Sequence, residues 1–237
     1  MSRRRETDAT GELRTFGRRL GRKLSARQQG LMRELLPRVS LDLTSAAPRE
    51  LSDLFGGTAC EVWLEIGFGG GEQLIWQAER NPGVGFIGCE PFVGGIAKAL
   101  TAIEARRLNN IRLYSDDARQ VLRWLPDASI SRAFVLFPDP WPKKRHRKRR
   151  FVARETLGML ARVMRCGAEL RIATDIGDYA RTILLAVRSL TDFRWLVSGA
   201  TDWRTRPADW PATRYEEKAI REGRHCTYLR FIRVGQS

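Results

Sequence analysis

Five short apolar runs, each followed by a longer amphipathic stretch, constrain most strongly what this chain can fold into. The runs are Val62–Ile66, Gly85–Cys89, Ile111–Tyr114, Ala133–Phe137 and Glu169–Ala173. Apolar runs of this length, bounded by Gly, Asp or Pro, are typical of strands that are buried on both faces of a sheet. Because apolar residues recur at helical spacing between them, as at Ile96, Leu100 and Ile103, we expect right-handed crossovers and a doubly wound α/β fold.

The sequence after Asp192 changes character and predicts two closing strands, FRWLV at residues 193–197 and TYLRFIRV at residues 227–234. With the five runs, they predict a seven-stranded, mostly parallel sheet with helices on both faces. Residues 1–30 are basic and polar and contain little that could form a core. We therefore predict an N-terminal arm at residues 1–30 and one domain at residues 31–237.

The net charge of +15 is concentrated in two places. Residues 1–27 hold nine basic and three acidic side chains, and residues 143–150, KKRHRKRR, hold seven basic and no acidic ones. The remaining 26 basic and 24 acidic residues nearly cancel. Two cationic patches on a nearly neutral body predict a polyanionic partner, RNA or DNA rather than a membrane surface.

Several classes of protein do not fit this sequence. No apolar run approaches the roughly 20 residues of a membrane span, and MSRRRETDAT lacks the apolar stretch of a secretory signal. The cysteines are scattered, which predicts buried, reduced thiols in a cytoplasmic protein. With only two histidines and no close pair of cysteines, we expect no metal site.

The first apolar run leads into a glycine-rich turn that is flanked by acidic residues. Ligands of doubly wound sheets bind beyond the carboxyl ends of the strands, and Gly67, Gly69 and Gly71 allow the backbone to approach a ligand closely. Glu72 stands at the sixth position, where a dinucleotide-binding fingerprint requires Gly, which disfavours an NAD-dependent oxidoreductase. The turn, preceded by Glu65, resembles that of S-adenosylmethionine-dependent methyltransferases.

Acidic residues also follow the second and third runs. Glu90 stands 19 residues after Gly71, and its two acceptor oxygens can hold both hydroxyls of an adenosine ribose. Asp116 and Asp117 follow the third run, where a carboxylate can accept a hydrogen bond from the adenine amino group. Each acid alone could equally be a helix cap, but together, in order after successive strands, they predict a nucleoside-binding site.

The fourth run leads into Pro138-Asp139-Pro140 and then into the basic run. A residue before proline is held out of the helical region, so the backbone of Asp139 is stiff and the direction of its side chain is nearly fixed. We predict that this carboxylate orients a substrate base. The basic run itself could be a solvated face or a contact with nucleic acid.

The motif PDPWPKKRHRKRR, at residues 138–150, completes a pattern of motifs. Together with LEIGFGGG and IGCEPF before it and IATD and TRYEEKAIREG after it, it resembles the bacterial tRNA (guanine-N7-)-methyltransferase family over residues 13–234. The segment LRTFGRRLGRKLSARQ is similar to that family's N-terminal RNA-contacting arm. The resemblance implies a Rossmann-like class I fold for the methyltransferase domain at residues 31–237. It also implies transfer of a methyl group from S-adenosyl-L-methionine to N7 of the variable-loop guanine, position 46 of tRNA.

The same resemblance implies roles for individual residues. It assigns the cofactor site to Glu65, Gly67, Gly69, Gly71, Glu90, Asp117 and Asp139, and catalysis to Asp139. Asp117 is preferred over Asp116 because the family's motif places the acid directly before alanine. It assigns substrate binding to Lys143, Asp175, Thr213, Arg214, Tyr215 and Glu216. It assigns RNA contacts to Arg145, His146, Arg147, Lys148, Arg149 and Arg150. Gly94 and Arg147 depart from the family's pattern, which puts only local loop contacts in doubt.

The chemistry of guanine N7 limits what the site must do. N7 has an in-plane lone pair and no proton, so its methylation needs alignment and charge stabilisation rather than a general base. Our hypothesis is that Asp139, Asp175 and Glu216 accept hydrogen bonds from the N1 and N2 donors of guanine. Thr213 and Glu216 also have the spacing of a capping box, and Asp175 could cap a helix that begins near Gly177.

Two alternative functions stay open at this point. One is an S-adenosylmethionine-dependent methyltransferase that acts on another RNA base or on a small molecule, and the basic patches disfavour a small molecule. The other is an RNA-binding protein on a degenerate methyltransferase fold, which the intact glycines and acids disfavour. The oligomeric state is also open, with a monomer favoured.

Overall fold

The computed structural model describes residue 17 and residues 19–235, and it contains a single seven-stranded sheet. The strands are β1 (Glu61–Ile66), β2 (Val84–Cys89), β3 (Ile111–Tyr114), β4 (Ile130–Leu136), β5 (Met164–Thr174), β6 (Phe193–Trp195) and β7 (Thr227–Arg233). Their order in space is β3-β2-β1-β4-β5-β7-β6. The first five run parallel, and β7 is antiparallel to both β5 and β6. The predicted seven-stranded, mostly parallel sheet is confirmed.

Helices connect the strands and cover both faces of the sheet. They are α1 (Ala26–Glu34), α2 (Leu36–Val39), α3 (Glu72–Arg80), α4 (Val93–Arg106), α5 (Ala118–Trp124), α6 (Arg154–Val163), α7 (Gly177–Arg188), α8 (Thr201–Arg204) and α9 (Arg214–Arg221). Short 3₁₀ helices occupy Leu51–Phe55 and Lys144–Arg149. No helix in the described part of the chain has the length and apolar character needed to cross a membrane.

Two apolar cores lie on opposite faces of the sheet. One joins α1, α3 and α4 to the sheet through residues such as Leu74 and Leu100, and the other joins α5, α6 and α7 through residues such as Leu122 and Ile183. Each of these four side chains is fully buried, which stabilises the fold by roughly 1.5–3 kcal/mol per side chain. The cores fix the strands, and the ends of the strands position the site.

Some boundaries and burial states differ from the prediction. Strand β5 begins at Met164 rather than Glu169, and the β4–β5 register shifts near Gly167, which has φ +82°. An irregularity of this kind interrupts the apolar pattern from which a strand is predicted. The prediction of buried thiols was wrong for Cys60 and Cys166, which are exposed.

The predicted boundary of the arm at residue 30 falls inside α1. Ser25 caps this helix in a capping box with Gln28, and Leu31 is buried against α4. Residues 1–16 and 18, which make up most of the predicted arm, lie outside the described residues. The division into an arm and a domain therefore stays a prediction.

Candidate active site

A pocket of about 280 Å³ opens at the carboxyl ends of β1, β2 and β4. The structure brings five of the predicted cofactor-site residues to its wall, which are Gly67, Gly69, Glu90, Asp117 and Asp139. Gly71 and Glu65 do not line it, although Glu65 directly precedes the lining residue Ile66. The carboxyl edge of the sheet is therefore where the predicted acids converge, as ligand binding by doubly wound folds requires.

The glycine-rich turn forms one wall of this pocket. Gly67, Gly69 and Gly71 all adopt positive φ angles, of 74°, 57° and 84°, which other residues rarely adopt. A Cβ atom on Gly95 would overlap the carbonyl oxygen of Gly69, so only glycine lets α4 pack this closely against the turn. The Glu90 carboxylate holds the turn from the other side, accepting hydrogen bonds from Gly69 N at 2.7 Å and Phe92 N at 2.9 Å.

Glu65 is a buried acid at the end of β1, and its side chain is 5% exposed. Burial raises its pKa to about 8, and the negative charges of Glu72 and Glu90 add to this effect. The structure shows no ion pair between Glu65 and any described residue. A carboxyl group in this state would be stabilised in its ionised form by a cationic ligand group.

The two aspartates after β3 differ in their partners. Asp117 begins α5 by accepting a hydrogen bond from Arg119 N at 3.0 Å, and its other oxygen pairs with the Arg119 guanidinium at 2.8 Å. Asp116 pairs with Arg19 from the N-terminal segment and accepts a hydrogen bond from Asp117 N at 2.8 Å. Both aspartates line the pocket, so both are placed to contact a ligand there.

The loop after β4 carries Asp139 at the pocket mouth. Positive φ angles of 50° at Phe137 and 41° at Trp141 bracket the Pro138-Asp139-Pro140 segment. The side chain of Asp139 is accessible to solvent, yet partial desolvation by the pocket wall raises its pKa above the ordinary value. A stiff, partly desolvated carboxylate responds strongly to positive charge that develops nearby.

The predicted RNA-contacting run divides into three groups by its surroundings. Arg145, Arg147 and Lys148 are exposed on the 3₁₀ helix Lys144–Arg149, where Arg147 pairs with Asp178 at 3.0 Å, and His146 is partly buried beside them. Arg149 lines the pocket, and its guanidinium lies 5.3 Å from the centre of the Trp141 ring.

Arg150 differs from the prediction because its side chain is only 4% exposed. Its guanidinium donates to Pro140 O at 2.9 Å, Thr182 Oγ1 at 3.0 Å and Asp178 Oδ2 at 2.7 Å. With these donors bound inside the protein, Arg150 fixes the loop after β4 against α7. The sequence could not distinguish it from its neighbours, because two of its three partners, Asp178 and Thr182, lie on α7, distant along the chain.

Of the four consecutive residues Thr213 to Glu216, only Tyr215 reaches the pocket. Its side chain is 59% exposed, and partial desolvation raises its pKa. The predicted capping box is confirmed, because Thr213 Oγ1 accepts from Glu216 N and Glu216 Oε2 accepts from Thr213 N, each at 3.3 Å. The cap begins α9 directly at the pocket rim and so positions Tyr215.

Glu216 and Asp175 are engaged within the protein rather than facing the pocket. Glu216 is 3% exposed, accepts a hydrogen bond from Tyr228 Oη and pairs with Arg206 at 3.0 Å. Asp175 pairs with Arg224 at 2.8 Å. It does not cap α7, whose N-cap residue is Ile176. The structure therefore does not bring Asp139, Asp175 and Glu216 together on one base edge.

The sequence did not indicate that the described N-terminal segment crosses the pocket mouth. Gly17 lines the pocket, and a Cβ atom added to it would lie 3.3 Å from Asp139 Oδ2. The carbonyl of Arg19 accepts a hydrogen bond from Val93 N at 3.0 Å. The segment has no hydrophobic periodicity, so only its resemblance to a family arm pointed to a functional role. Within the described ranges, no group of three or more His, Cys, Asp or Glu residues could hold a metal ion.

The strand order and the glycine-walled pocket define the class of protein, a Rossmann-like class I methyltransferase. Two solved structures share the fold. One is the 16S rRNA methyltransferase KamB, with a TM-score of 0.52, 16% identity and coverage of 77% of this chain and 92% of that one. The other is an rRNA methylase from Streptococcus thermophilus, with a TM-score of 0.51, 11% identity and coverage of 81% and 100%. Residues 60–229 also match the model of a family described as "Putative methyltransferase".

Several sequence relatives share much higher sequence identity with this chain than the two solved structures do. The chain is 53% identical over 219 residues to the tRNA (guanine-N(7)-)-methyltransferase of Chelativorans sp. (strain BNC1), covering 92% of this chain and 94% of that protein. It is 49% identical to the protein of the same name from Nitrobacter hamburgensis, and the match covers 94% of this chain and 88% of that protein. The chain therefore belongs to the bacterial tRNA (guanine-N7-)-methyltransferase family, as its motifs predicted.

Proposed function

We propose that this chain transfers a methyl group from S-adenosyl-L-methionine to N7 of the variable-loop guanine, position 46 of tRNA. One observation carries the proposal: the acid-lined pocket opens directly beside the loop that holds Asp139 and the exposed basic run. A small-molecule methyltransferase has no use for such a cationic rim, whereas a tRNA substrate requires one.

The pocket residues fit S-adenosylmethionine as the donor, which supplies an electrophilic sulfonium methyl group when bound. The residues we propose to hold it are Glu65, Glu90 and Asp117 with the glycine turn. Glu90 keeps unused acceptor capacity for ribose hydroxyls, because each of its oxygens accepts one backbone amide. Glu65 is buried beside two other acids, so a cationic ammonium group would lower the free energy of its ionised form.

We propose that Asp139 orients the guanine and stabilises its developing positive charge. Its carboxylate can accept a hydrogen bond from a base-edge donor and also oppose the cationic purine that forms. Since N7 carries no proton, this role needs no proton transfer. The Pro138 and Pro140 rings restrict the loop, which keeps the carboxylate in place before the base arrives.

Tyr215 is proposed as the aromatic surface against which the target guanine lies once it is turned out of the folded tRNA. It borders the pocket with Asp139, and its exposed ring is free to stack, in the way that single-stranded RNA bases stack on aromatic side chains. Glu216 and Asp175 then act indirectly, by holding the start of α9 and its neighbouring loop, rather than by contacting guanine. A tRNA substrate also places the proposed enzyme in the cytoplasm.

The test is methyl transfer to an unmodified tRNA transcript, with the product nucleoside and its position mapped by mass spectrometry. We expect N7-methylguanosine at position 46 and no product with a transcript in which that guanine is replaced by adenine. A methyl group on another base or on another atom of guanine would refute the assignment and support an enzyme for a different RNA base.

The variant Asp139→Asn tests the proposed catalytic residue. We expect the turnover rate to fall roughly 100-fold or more, because the amide lacks the negative charge that opposes the cationic product. The dissociation constant for tRNA should change less than about threefold. An equal loss of binding and turnover would show that Asp139 supports binding or the fold instead.

A further inference from the structure

A second cleft, of about 220 Å³, borders the glycine turn at Gly69 and Gly70. Three cationic side chains border it: Lys98 from α4, and Arg214 and Lys218 from α9. Gly69, Phe92 and Tyr215 line both this cleft and the cofactor pocket, so the two cavities share a rim. Neither Lys98 nor Lys218 belongs to the two cationic patches visible in the sequence.

The carboxylates near this cleft leave it with an excess of positive charge. Glu72 pairs with Arg214. Glu222 lies 3.8 Å from Lys218, and both of these side chains are at least 45% exposed, so the pair is weak. Lys98 is exposed and forms no ion pair with any described residue. The cleft therefore offers at least two cationic donors to an anionic ligand.

We propose that this cleft binds a backbone phosphate of the tRNA strand that carries the target guanine. The inference rests on the proposed function, because it follows from where a base in the pocket must leave its backbone. A nucleotide with its base against Tyr215 has its sugar at the shared rim. One flanking phosphate then faces the basic run near Arg149, and the other faces Lys98 and Lys218. The strand is held from both sides of the pocket.

The exposure of these lysines favours a phosphate of a large ligand over the carboxylate of the cofactor. The cofactor pocket is walled by acids and by the glycine turn, whereas the Lys218 side chain is 65% exposed at the outer edge of the cleft. Long, flexible ammonium groups bind phosphates as point charges and do not require a fixed geometry. A mobile tRNA backbone suits this arrangement.

The experiment compares the double variant Lys98→Ala/Lys218→Ala with the matched control Arg188→Ala/Arg194→Ala. The control removes the same number of exposed charges from the far edge of the sheet, near β6. For each full-length protein, we would measure the dissociation constant of unmodified tRNA at several salt concentrations. Calorimetry would give the dissociation constant of S-adenosylmethionine, and the methylation assay would confirm the product.

We expect the Lys98/Lys218 variant to bind tRNA roughly tenfold more weakly than the control at about 100 mM salt. Its log–log salt slope should be shallower by roughly 0.7–0.9, which is the loss expected for one phosphate contact. Cofactor affinity should stay within about twofold of the wild type, and Lys98→Arg/Lys218→Arg should restore tRNA binding.

Two results would overturn the proposal. Equal tRNA affinity and salt slope in the variant and the control would mean that the cleft contacts no phosphate. Weakened cofactor binding with unchanged tRNA binding would assign the cleft to the cofactor carboxylate. If the wild-type protein formed no N7-methylguanosine at all, the proposed function would fail, while the binding comparison would still report on the cleft.

Discussion

The substitution Glu65→Gln should make the free energy of unfolding less dependent on pH. Glu65 is buried beside Glu72 and Glu90, which places its pKa at about 8 in the folded protein against an ordinary value of 4.5. The folded state therefore holds a proton that the unfolded state releases at lower pH. Stability from this group is fully present below pH 4.5 and is lost as the pH rises to about 8. Glutamine has a similar shape and does not titrate.

The size of the effect follows from these two pKa values. Within the window, the wild-type protein loses roughly 1.4 kcal/mol of stability per pH unit relative to Glu65→Gln. Over the whole window from pH 4.5 to about 8, the difference reaches about 5 kcal/mol in favour of the variant. This is a large share of the 5–15 kcal/mol that stabilises a typical domain.

Urea denaturation of both proteins at pH 5, 6, 7 and 8, at constant ionic strength, measures this difference directly. Other titrating groups cancel when the two curves are subtracted. Glu155→Gln, which removes an exposed carboxylate on α6, serves as the control and should leave the pH dependence nearly unchanged. If the difference between wild type and Glu65→Gln stays constant within about 0.5 kcal/mol over this range, the burial argument is refuted.

The same variant tests the proposed contact between Glu65 and the cofactor. Binding of a cationic group should ionise Glu65, so the wild-type protein should release about one proton per bound cofactor near pH 7. Calorimetry in buffers of different ionisation enthalpy counts these protons. Proton release that persists in Glu65→Gln would show that another group is responsible.

Two further predictions concern arginines that the sequence alone does not distinguish. Arg150→Ala should lower the free energy of unfolding by about 2–4 kcal/mol, because the buried guanidinium loses three partly buried hydrogen bonds. Lys144→Ala/Arg145→Ala should change stability by less than about 0.5 kcal/mol but flatten the salt dependence of tRNA binding. Urea titration and tRNA binding at several salt concentrations separate the two outcomes, and equal effects on stability would contradict the assignment. Arg171 is 2% exposed and pairs with Glu169 at 2.8 Å and with Asp209 at 2.7 Å. The variant Arg171→Met should lower the free energy of unfolding by about 1–3 kcal/mol. The loss stays below the ~3–5 kcal/mol for breaking a buried pair because Glu169 retains Arg230 and Arg132, and a larger loss by urea titration would show that Glu169 depends on Arg171.

Local sequence patterns predicted the sheet because most of its strands are continuous apolar runs. The acids at the strand ends were predictable for the same reason: the carboxyl ends of parallel strands meet at one edge, so Glu90, Asp117 and Asp139 had to converge. Periodicity missed the first part of β5, where Arg165 and Gly167 interrupt the apolar pattern. A bulge is fixed by pairing with a neighbouring strand, which the local sequence does not contain.

Side-chain roles were harder to predict where distant partners decide them. The spacing of Thr213 and Glu216 predicted the helix cap, but nothing local indicated that Tyr228 and Arg206 would occupy the same carboxylate. The seven Lys and Arg residues at positions 143–150 look alike in sequence, yet Arg150 is buried and donates to both Asp178 and Thr182. Burial of a charge depends on tertiary contacts, so a charge run alone predicts a surface and not its exceptions.

The separation of charge around the pocket explains how one site could accept a base while rejecting the backbone that carries it. The pocket wall holds carboxylates, including Glu90 and Asp117, whereas cationic side chains, including Arg149 and Lys98, border the pocket and the neighbouring cleft. A phosphate that moved inward would meet like charges at short range, where repulsion is strong because little water screens it. The uncharged base, with its hydrogen-bond donors, meets no such barrier. The same acids that suit a cationic cofactor would therefore also fix the orientation of the tRNA strand, with its phosphates on the rim and the guanine directed inward.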